Sequence, residues 1–406
     1  MPGGKALMER GPKPTILVTG GTGFLGSHLV TRLLAEGHRV VVPARSRHGL
    51  SADQRMARLL DWFGTPHQQR SLLEVVEANL EYPSLGIAPQ QAADLRLKVD
   101  EIIHCASDTS FSSRKEEQVK RVNIQGLEHL LDLLSGSRCR RLYLISTAYV
   151  AGKRIGDCPE AFQETTAFHN VYEQSKFIAE QIAASRCAAS GIRLTVIRPS
   201  IVYGDAQTGR TLAFNALYYP VRTIHYFSKL YHEDILEHGG DRARALGIHR
   251  APDGTLHLPI RIDGGSGCGV NLIPVDYFLR AFLAIRDAPS ADGVFHIVNP
   301  QNTSIAELVD FTRRFFHLTG LEVTTGEDVA SLPRHGLELL FDRHIQAYSA
   351  YIRDARIFDR SRSDALLRQA GVTCPAFTYA VFTTCMRFAV DVDWGRLLWE
   401  SSPAGP

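Results

Sequence analysis

Thr15-Ile-Leu-Val-Thr-Gly-Gly-Thr-Gly-Phe-Leu-Gly26 is the stretch that decides the fold. Its first five residues are a short apolar, β-branched run between Pro14 and Gly20, the pattern of a buried strand. Gly20, Gly23 and Gly26 follow at three-residue spacing. Leu25, Leu29, Val30, Leu33 and Leu34 then recur at helical spacing, and Gly37 stands where such a helix would be capped. A glycine triplet alone is a weak signal, but strand, glycine turn and helix in this order make a dinucleotide turn. Gly20 permits the tight turn, Gly23 lets a pyrophosphate approach the backbone, and Gly26 lets helix and strand pack closely. The helix N-terminus offers free N–H donors to the phosphates.

The next strand is Arg39-Val-Val-Val-Pro43. A site for NAD places an acidic residue about 20 positions beyond the glycines, on the ribose 2′-OH. Here Ala44-Arg45-Ser46-Arg47 occupies that place. With no carboxylate there, and the planar fork of Arg45 suited to a 2′-phosphate, the expected cofactor is NADPH.

Leu142-Tyr-Leu-Ile-Ser146 reads as a further buried strand. Ser146-Thr147 then lies at its carboxyl end, where ligands bind in an open α/β sheet. Downstream, Tyr172-Glu-Gln-Ser-Lys176 places Tyr172 and Lys176 four apart, on one helical face. A Tyr-x-x-x-Lys string is common and uninformative by itself. It gains meaning about 150 residues after a glycine turn and just past a strand ending in Ser-Thr. A free tyrosine titrates near about 10, and a neighbouring ammonium lowers that value. Tyr172 is therefore expected to donate a proton to a carbonyl oxygen as hydride reaches its carbon. Lys176 is expected to hold the nicotinamide ribose, and Thr147 to orient the same substrate oxygen.

Residues 14–200 alternate strand and helix patterns, which predicts a doubly wound parallel sheet of Rossmann type. The expected division is a nucleotide domain over 14–204, with 271–300 returning to it. A smaller, mostly helical substrate portion would take 205–270 and 301–400. Leu258-Pro-Ile-Arg-Ile262 is an expected strand, followed by a glycine-rich turn over 264–269. Ser304 is positioned to cap a helix running to Phe316, and 337–355 and 378–390 look helical. Residues 1–13 have the composition of a loose tail. The aromatic run Phe214, Tyr218, Tyr219, Tyr226, Phe227 and Tyr231 is either the core of the substrate portion or the lining of an acyl channel.

Composition narrows the class. The 406 residues carry a net charge of +2 with no long block of like charge, which argues against a nucleic-acid surface. Arg138, Arg140 and Arg141 cluster as a solvated loop or, more sharply, a docking patch. No run approaches 18 apolar residues, so no membrane span is expected, and the N-terminus lacks the apolar core of a secretory signal. Seven scattered cysteines without a Cys-x-x-Cys pair point to neither a disulfide framework nor a zinc site, and to a reducing, cytoplasmic setting. Cys105 is expected to be a small packed thiol. His225, His232 and His238 lack metal-ligand spacing, so no metal is expected.

Several further runs carry a family likeness: Val99-Asp-Glu-Ile-Ile-His-Cys-Ala-Ser107, Asn123-Ile-Gln-Gly126, Ser146-Thr-Ala-Tyr-Val-Ala-Gly152, Arg198-Pro-Ser-Ile-Val-Tyr-Gly204 with its continuation to Gly209, and Asn271-Leu-Ile-Pro-Val-Asp-Tyr277. Over residues 14–310 the chain resembles the extended short-chain dehydrogenase/reductases, closest to their thioester-reductase and fatty-acyl reductase branch. The resemblance assigns Thr147, Tyr172 and Lys176 to catalysis. It assigns Gly20, Thr22, Gly23, Phe24, Leu25 and Gly26 to the pyrophosphate turn, and Arg45 with Arg58 to the 2′-phosphate. Ala106 and Ser107 would line the cofactor, and Pro199, Ser200 and Ile201 would flank the nicotinamide. The family's Gly-Asp-Leu near the adenine is Ala78-Asn79-Leu80 here. Asn79 keeps a carbonyl oxygen for the adenine amine but removes a negative charge.

The resemblance implies an NADPH-dependent reductase of a thioester-activated acyl group, on coenzyme A or a carrier protein. The tetrahedral hemithioacetal would collapse to an aldehyde and a free thiol, and a second round would give the alcohol. With no adenylation or carrier domain in these 406 residues, action in trans is expected. The same residues also suit a ketone or aldehyde reductase, or a hydroxy-dehydrogenase, on a hydrophobic substrate. A nucleotide-sugar epimerase or dehydratase ranks third. Dehydratases of this kind carry Asp-Glu after the catalytic threonine, where this chain has Ala148-Tyr149. Retention of Thr147, Tyr172 and Lys176 disfavours a non-catalytic NADP-binding scaffold.

Overall fold

The computed structural model describes residues 13–164, 167–264, 269–289, 291–324 and 333–399. Residues 1–12 of the expected tail, and 265–268 of the expected glycine-rich turn, lie outside the described residues.

Seven strands form the main sheet: β1 Thr15–Thr19, β2 Arg39–Ala44, β3 Leu73–Glu77, β4 Glu101–His104, β5 Arg141–Ile145, β6 Arg193–Pro199 and β7 Gly293–Ile297. Their order is β7-β6-β5-β4-β1-β2-β3, with parallel pairing at each step from β3 to β6. Chain order reverses between β1 and β4, so their carboxyl ends frame the crevice where such sheets bind ligands. Thr19 is there in register with His104. The central strands β1 and β4 are apolar because parallel sheets are covered on both faces; Ile16, Leu17, Val18, Ile102 and Ile103 are fully buried.

Four helices position the groups at that crevice: α1 Phe24–Ala35, α2 Ala52–Trp62, α3 Gly126–Leu133 and α4 Val171–Ser190. Helix α1 buries Leu29, Val30, Leu33 and Leu34, the face its periodicity predicts. Helix α2 starts at Ser51 with a reciprocal Ser51–Gln54 capping box. Helix α4 starts at Asn170, whose side chain accepts from the Glu173 N–H, and ends at Gly191 in the left-handed region.

The chain divides into two compact units. The first holds the residues up to Ser146, Asn170–Ile197 and 291–294; the second holds Thr147–His169, Arg198–Pro289 and the residues from Phe295 onward. The chain thus leaves the sheet unit at Thr147, returns to it at Asn170 and leaves it again after Ile197. The parallel register of β5 and β6 runs out at Ile145↔Ile197. Beyond it Ile201–Tyr203 pairs with Leu272–Pro274 instead.

The second unit contains α5 Tyr218–Glu237, α6 Val275–Asp287, α7 Ile305–Phe316, α8 Gly336–Ile345 and α9 Tyr379–Asp391. Ser304 caps α7 in a capping box with Glu307. Leu256–Asp263 is a strand, and it pairs in parallel with Leu318–Thr324, a strand in a region whose sequence looks helical. Of the aromatic run, Tyr218, Phe227 and Tyr231 are buried in two apolar clusters, and Phe214 and Tyr219 are half-buried. Tyr226 is exposed, at 57%.

Candidate active site

In the first unit the glycine turn closes by a hydrogen bond from Gly23 N to Gly20 O at 2.8 Å. Gly20 has φ +70°, and a Cβ there would lie 2.6 Å from Ala106 N. A Cβ on Gly26 would lie 2.1 Å from Gly20 O. Both positions therefore exclude a side chain, and the turn lies directly against the end of β4. Helix α1 has no side-chain cap and no acidic residue in its first turn. An uncapped, acid-free helix N-terminus behind a glycine cradle fits a dinucleotide pyrophosphate. Thr19 braces the crevice: its hydroxyl is 2.9 Å from His104 Nδ1 and accepts from Ala106 N at 3.3 Å.

Arg45 follows β2 and pairs with Glu81 at 2.6 Å. The second arginine at the turn is Arg55, three residues before Arg58. It donates to Thr22 Oγ1 at 2.9 Å and to the Arg45 carbonyl at 2.6 Å. Its pKa is lowered by burial and then by repulsion from Arg47 and Arg45. Arg58 lies on the exposed face of α2. Glu77 sets this register, accepting from Ser46 N at 2.5 Å and Ala52 N at 3.1 Å. Burial raises the Glu77 pKa, but those N–H donors and the charge of Arg55 outweigh it, so the carboxyl is held below its usual range. Asn79 Oδ1 accepts from Glu81 N at 3.1 Å, and the Leu80 carbonyl accepts from His129 Nδ1 at 2.8 Å.

Helix α4 presents Tyr172 half-buried and Lys176 buried, one turn apart. The Tyr172 ring lies 5.9 Å from that of Phe111. Lys176 Nζ donates to Ile145 O, at the end of β5, at 2.6 Å. Burial lowers the Lys176 pKa to about 8, against opposing contributions from Cys105 and Glu180. Desolvation pushes the Cys105 thiol up to about 12, and desolvation, with Lys176 adding to it, takes His104 down to about 3. Both are thus uncharged at neutral pH, and Lys176 is mostly an ammonium.

Asn123 is a residue whose role sequence reading missed. It sits in a single π-helical turn, Arg121–Gln125, and is buried. Its Oδ1 accepts from Asp108 N at 2.7 Å and Ser107 Oγ at 3.2 Å. Its Nδ2 donates to Asp108 O at 3.0 Å and Ser175 Oγ at 2.8 Å. Ser175 in turn donates to Tyr172 O at 2.8 Å. One amide thereby ties the Ser107 loop to the helix carrying Tyr172 and Lys176. The signal was present in the Asn123-Ile-Gln-Gly126 run, but its partners are distant in sequence.

In the second unit Thr147 caps a short 3₁₀ turn, accepting from Tyr149 N at 3.3 Å. Its hydroxyl proton has no partner among the described residues. The turn is held by Arg356, which donates to Gly152 O at 2.8 Å and sits 4.7 Å from the Tyr149 ring centroid. Arg356 is itself paired with buried Asp354 at 2.7 Å. Pro199 ends β6, Ser200 N donates to Ile297 O at 3.2 Å, and Ile201 is in register with Leu272. The buried Ser200 hydroxyl has no partner among the described residues, leaving a polar group for a ligand in the segment expected to flank a nicotinamide.

The second unit also contains a cavity of about 690 Å³, within the size range of ligand sites. Its cations include Lys153, Arg154, Arg334 and Arg353. Arg334 and Arg353 pair with Asp342 and Asp263. Lys153 and Arg154 have no carboxylate partner among the described residues. His225 is engaged, accepting from Trp394 Nε1 at 3.1 Å and stacking on Phe316. Glu233, Glu237 and His238 converge on an exposed surface. No helix among the described residues is long and apolar enough to cross a membrane.

This sheet, turn and Tyr-Lys helix define a nicotinamide-dinucleotide oxidoreductase. Residues 18–282 match the family model described as male sterility protein, an NAD-binding family. The chain belongs to that family, within the extended short-chain dehydrogenase/reductases. It is similar to the terminal R domain from the myxalamid PKS-NRPS biosynthetic pathway, with TM-score 0.72 and 21% identity over 95% of this chain and 92% of that one. A thiolation-reductase di-domain from an archaeal non-ribosomal peptide synthetase gives TM-score 0.69 and 18% identity over 94% and 76%. A linear gramicidin synthase polypeptide of Brevibacillus parabrevis is 22% identical over 92% of this chain but only 7% of its own length. The chain spans less than half the length of the curated relatives it matches first.

Proposed function

We propose that this protein reduces an acyl group presented as a thioester, on coenzyme A or a carrier protein, to the aldehyde, using NADPH. The observation that carries the reading is the Tyr172–Lys176 pair, with the ammonium buried one helical turn from the phenol. Likeness to reductase domains of peptide synthetases supports the thioester.

The glycine turn and the N-terminus of α1 would hold the pyrophosphate, with Arg45 and Arg55 on the 2′-phosphate. Bound NADPH supplies the hydride for the acyl carbon. Tyr172 donates the proton to the acyl oxygen, and the Lys176 ammonium stabilises the phenolate left behind. The role that the family resemblance gives Thr147 is to hydrogen-bond that oxygen as charge builds on it. The tetrahedral hemithioacetal then breaks its C–S bond, giving aldehyde and thiol. In the second unit the cations Lys153 and Arg154 at the cavity suit a phosphate group.

The test follows NADPH absorbance with an acyl-CoA, a carrier-bound acyl thioester, and the corresponding free aldehyde and ketone. One thiol released per NADPH consumed supports reduction to aldehyde. One thiol per two NADPH indicates continuation to the alcohol. Consumption with aldehyde or ketone alone replaces this reading with a simple carbonyl reductase.

A further inference from the structure

Helix α4 does not end its polar work at Lys176. One turn further along the same face is Glu180, with no exposed surface at all. The neighbouring buried positions on this face are small, Ala179 and Ala183, so the helix backbone lies close to the sheet. A fully buried carboxyl group needs a partner, and Glu180 has one: Ser146 Oγ donates to its Oε1 at 2.5 Å. Ser146 is fixed from its other side, since its N–H donates to Ile197 O at 2.7 Å.

The two contacts form a clamp. Lys176 grips Ile145 O and Glu180 grips the side chain of Ser146, so successive turns of α4 hold successive residues at the end of β5. The Ser146 hydroxyl is thereby engaged with Glu180, in contrast to the free proton of Thr147.

The groups facing Lys176 come from three elements. From β4 and its end come His104 and Cys105. From β5 and its end come the Ile145 carbonyl and Ser146. From α4 itself come Tyr172 and Glu180, and the helix also buries Glu173 one turn before Lys176. His104 and Cys105 are uncharged at neutral pH, and Ile145, Ser146 and Tyr172 contribute dipoles. Before any proton leaves Tyr172, Glu180 is the carboxyl whose charge acts on Lys176.

We propose that Glu180 is the counter-ion that keeps the buried Lys176 side chain an ammonium at working pH, with Ser146 fixing the carboxylate in place. Glu180 is a positioning residue: it acts on the reaction through Lys176. The proposal rests on the reading of Lys176 as the catalytic ammonium. Its test therefore includes a measurement that needs neither cofactor nor substrate.

Lysine labelled with ¹³C at the ε carbon reports its own protonation. The full-length protein is titrated through the neutral-to-alkaline range, with the Lys176 resonance assigned from Lys176→Arg. Glu180→Gln keeps the size of the side chain and an acceptor for Ser146, but removes the charge. It is expected to move the Lys176 midpoint to lower pH by roughly one unit, the smaller end of the effect of a nearby opposite charge. The alkaline limb of turnover moves the same way, and Glu180→Asp restores both. If Glu180→Gln does not fold, Ser146→Ala frees the carboxylate from its anchor and gives a smaller shift in the same direction. An unchanged Lys176 midpoint in folded Glu180→Gln, with activity reduced equally at every pH, overturns the proposal. Failure of every thioester as substrate leaves the titration result standing, so the two readings fail separately.

Discussion

Arg55 donates to the Thr22 hydroxyl at 2.9 Å, so a guanidinium from α2 closes over the glycine turn of α1. The same side chain holds the Arg45 carbonyl at 2.6 Å. Arg55 thus adjoins the backbone of Arg45 at the proposed 2′-phosphate site, and Arg58 lies on the exposed face of α2. Arg55→Ala is expected to weaken NADPH binding about tenfold to a hundredfold, the loss of one or two charged hydrogen bonds. NADH binding should change much less. Fluorescence titrations with both nucleotides check this, and equal losses for the two would remove Arg55 from the phosphate site.

Tyr172→Phe removes the proposed proton and leaves the ring. Turnover should fall by about two to four orders of magnitude, the usual size of a general-acid contribution. NADPH affinity should stay within a factor of about two, since the helix retains its Asn123 and Ser175 anchors. Steady-state rates beside binding isotherms separate the two effects, and full activity in the variant would exclude Tyr172 as donor.

With Lys176 held at about 8, the kcat/KM for NADPH should decline above about pH 8. Stability should run the other way. The folded pKa lies below the unfolded value of about 10.4, so the cost of burying the ammonium is fully present below about pH 8. It is relieved as pH rises toward the unfolded value. Lys176→Met should therefore gain stability relative to wild type at neutral pH and lose that advantage under alkaline conditions. Urea denaturation across this range tests the sign.

Gly26→Ala introduces a methyl 2.1 Å from Gly20 O. Backbone cannot yield as a flexible side chain does, so the turn must open, at a cost of about 1–3 kcal/mol. The expected result is a lower Tm and no further stabilisation by NADPH in a thermal melt.

Arg356→Leu strips the buried partner from Asp354 and the clamp from Gly152. Leaving a buried carboxylate alone should cost about 3–5 kcal/mol, seen as a lower urea midpoint. Exchanging Asp354 and Arg356 together for apolar residues should recover part of the loss, and equal losses in single and double variants would deny the pair this role.

Much of this molecule is legible along the chain. The turn from Thr15 to Gly26 identifies itself because its physics is local: a strand, glycines that tolerate close approach, and a helix start. The Ser304 cap, a strand at 258–262, the apolar face of α1 and a helix over 378–390 follow from nearest-neighbour periodicity and capping. Tyr172 and Lys176 share a face by helical spacing alone, and the likeness to reductases over 14–310 needs no coordinates. What tertiary structure alone decided concerns groups brought together from distant places. Arg55 and Arg58 lie on one helix and are chemically identical. Which of them reaches Thr22 depends on the rotation of α2, set by its Ser51 cap and by Glu77 on a separate strand. Leu318–Thr324 becomes a strand because Leu256–Asp263 offers it an edge, which no local propensity reports. The departure from the sheet at Thr147 depends on where the β5–β6 register stops. The clamp of Lys176 and Glu180 on Ile145 and Ser146 joins residues far apart in the chain, and burial, a property of the folded chain, makes their charges matter.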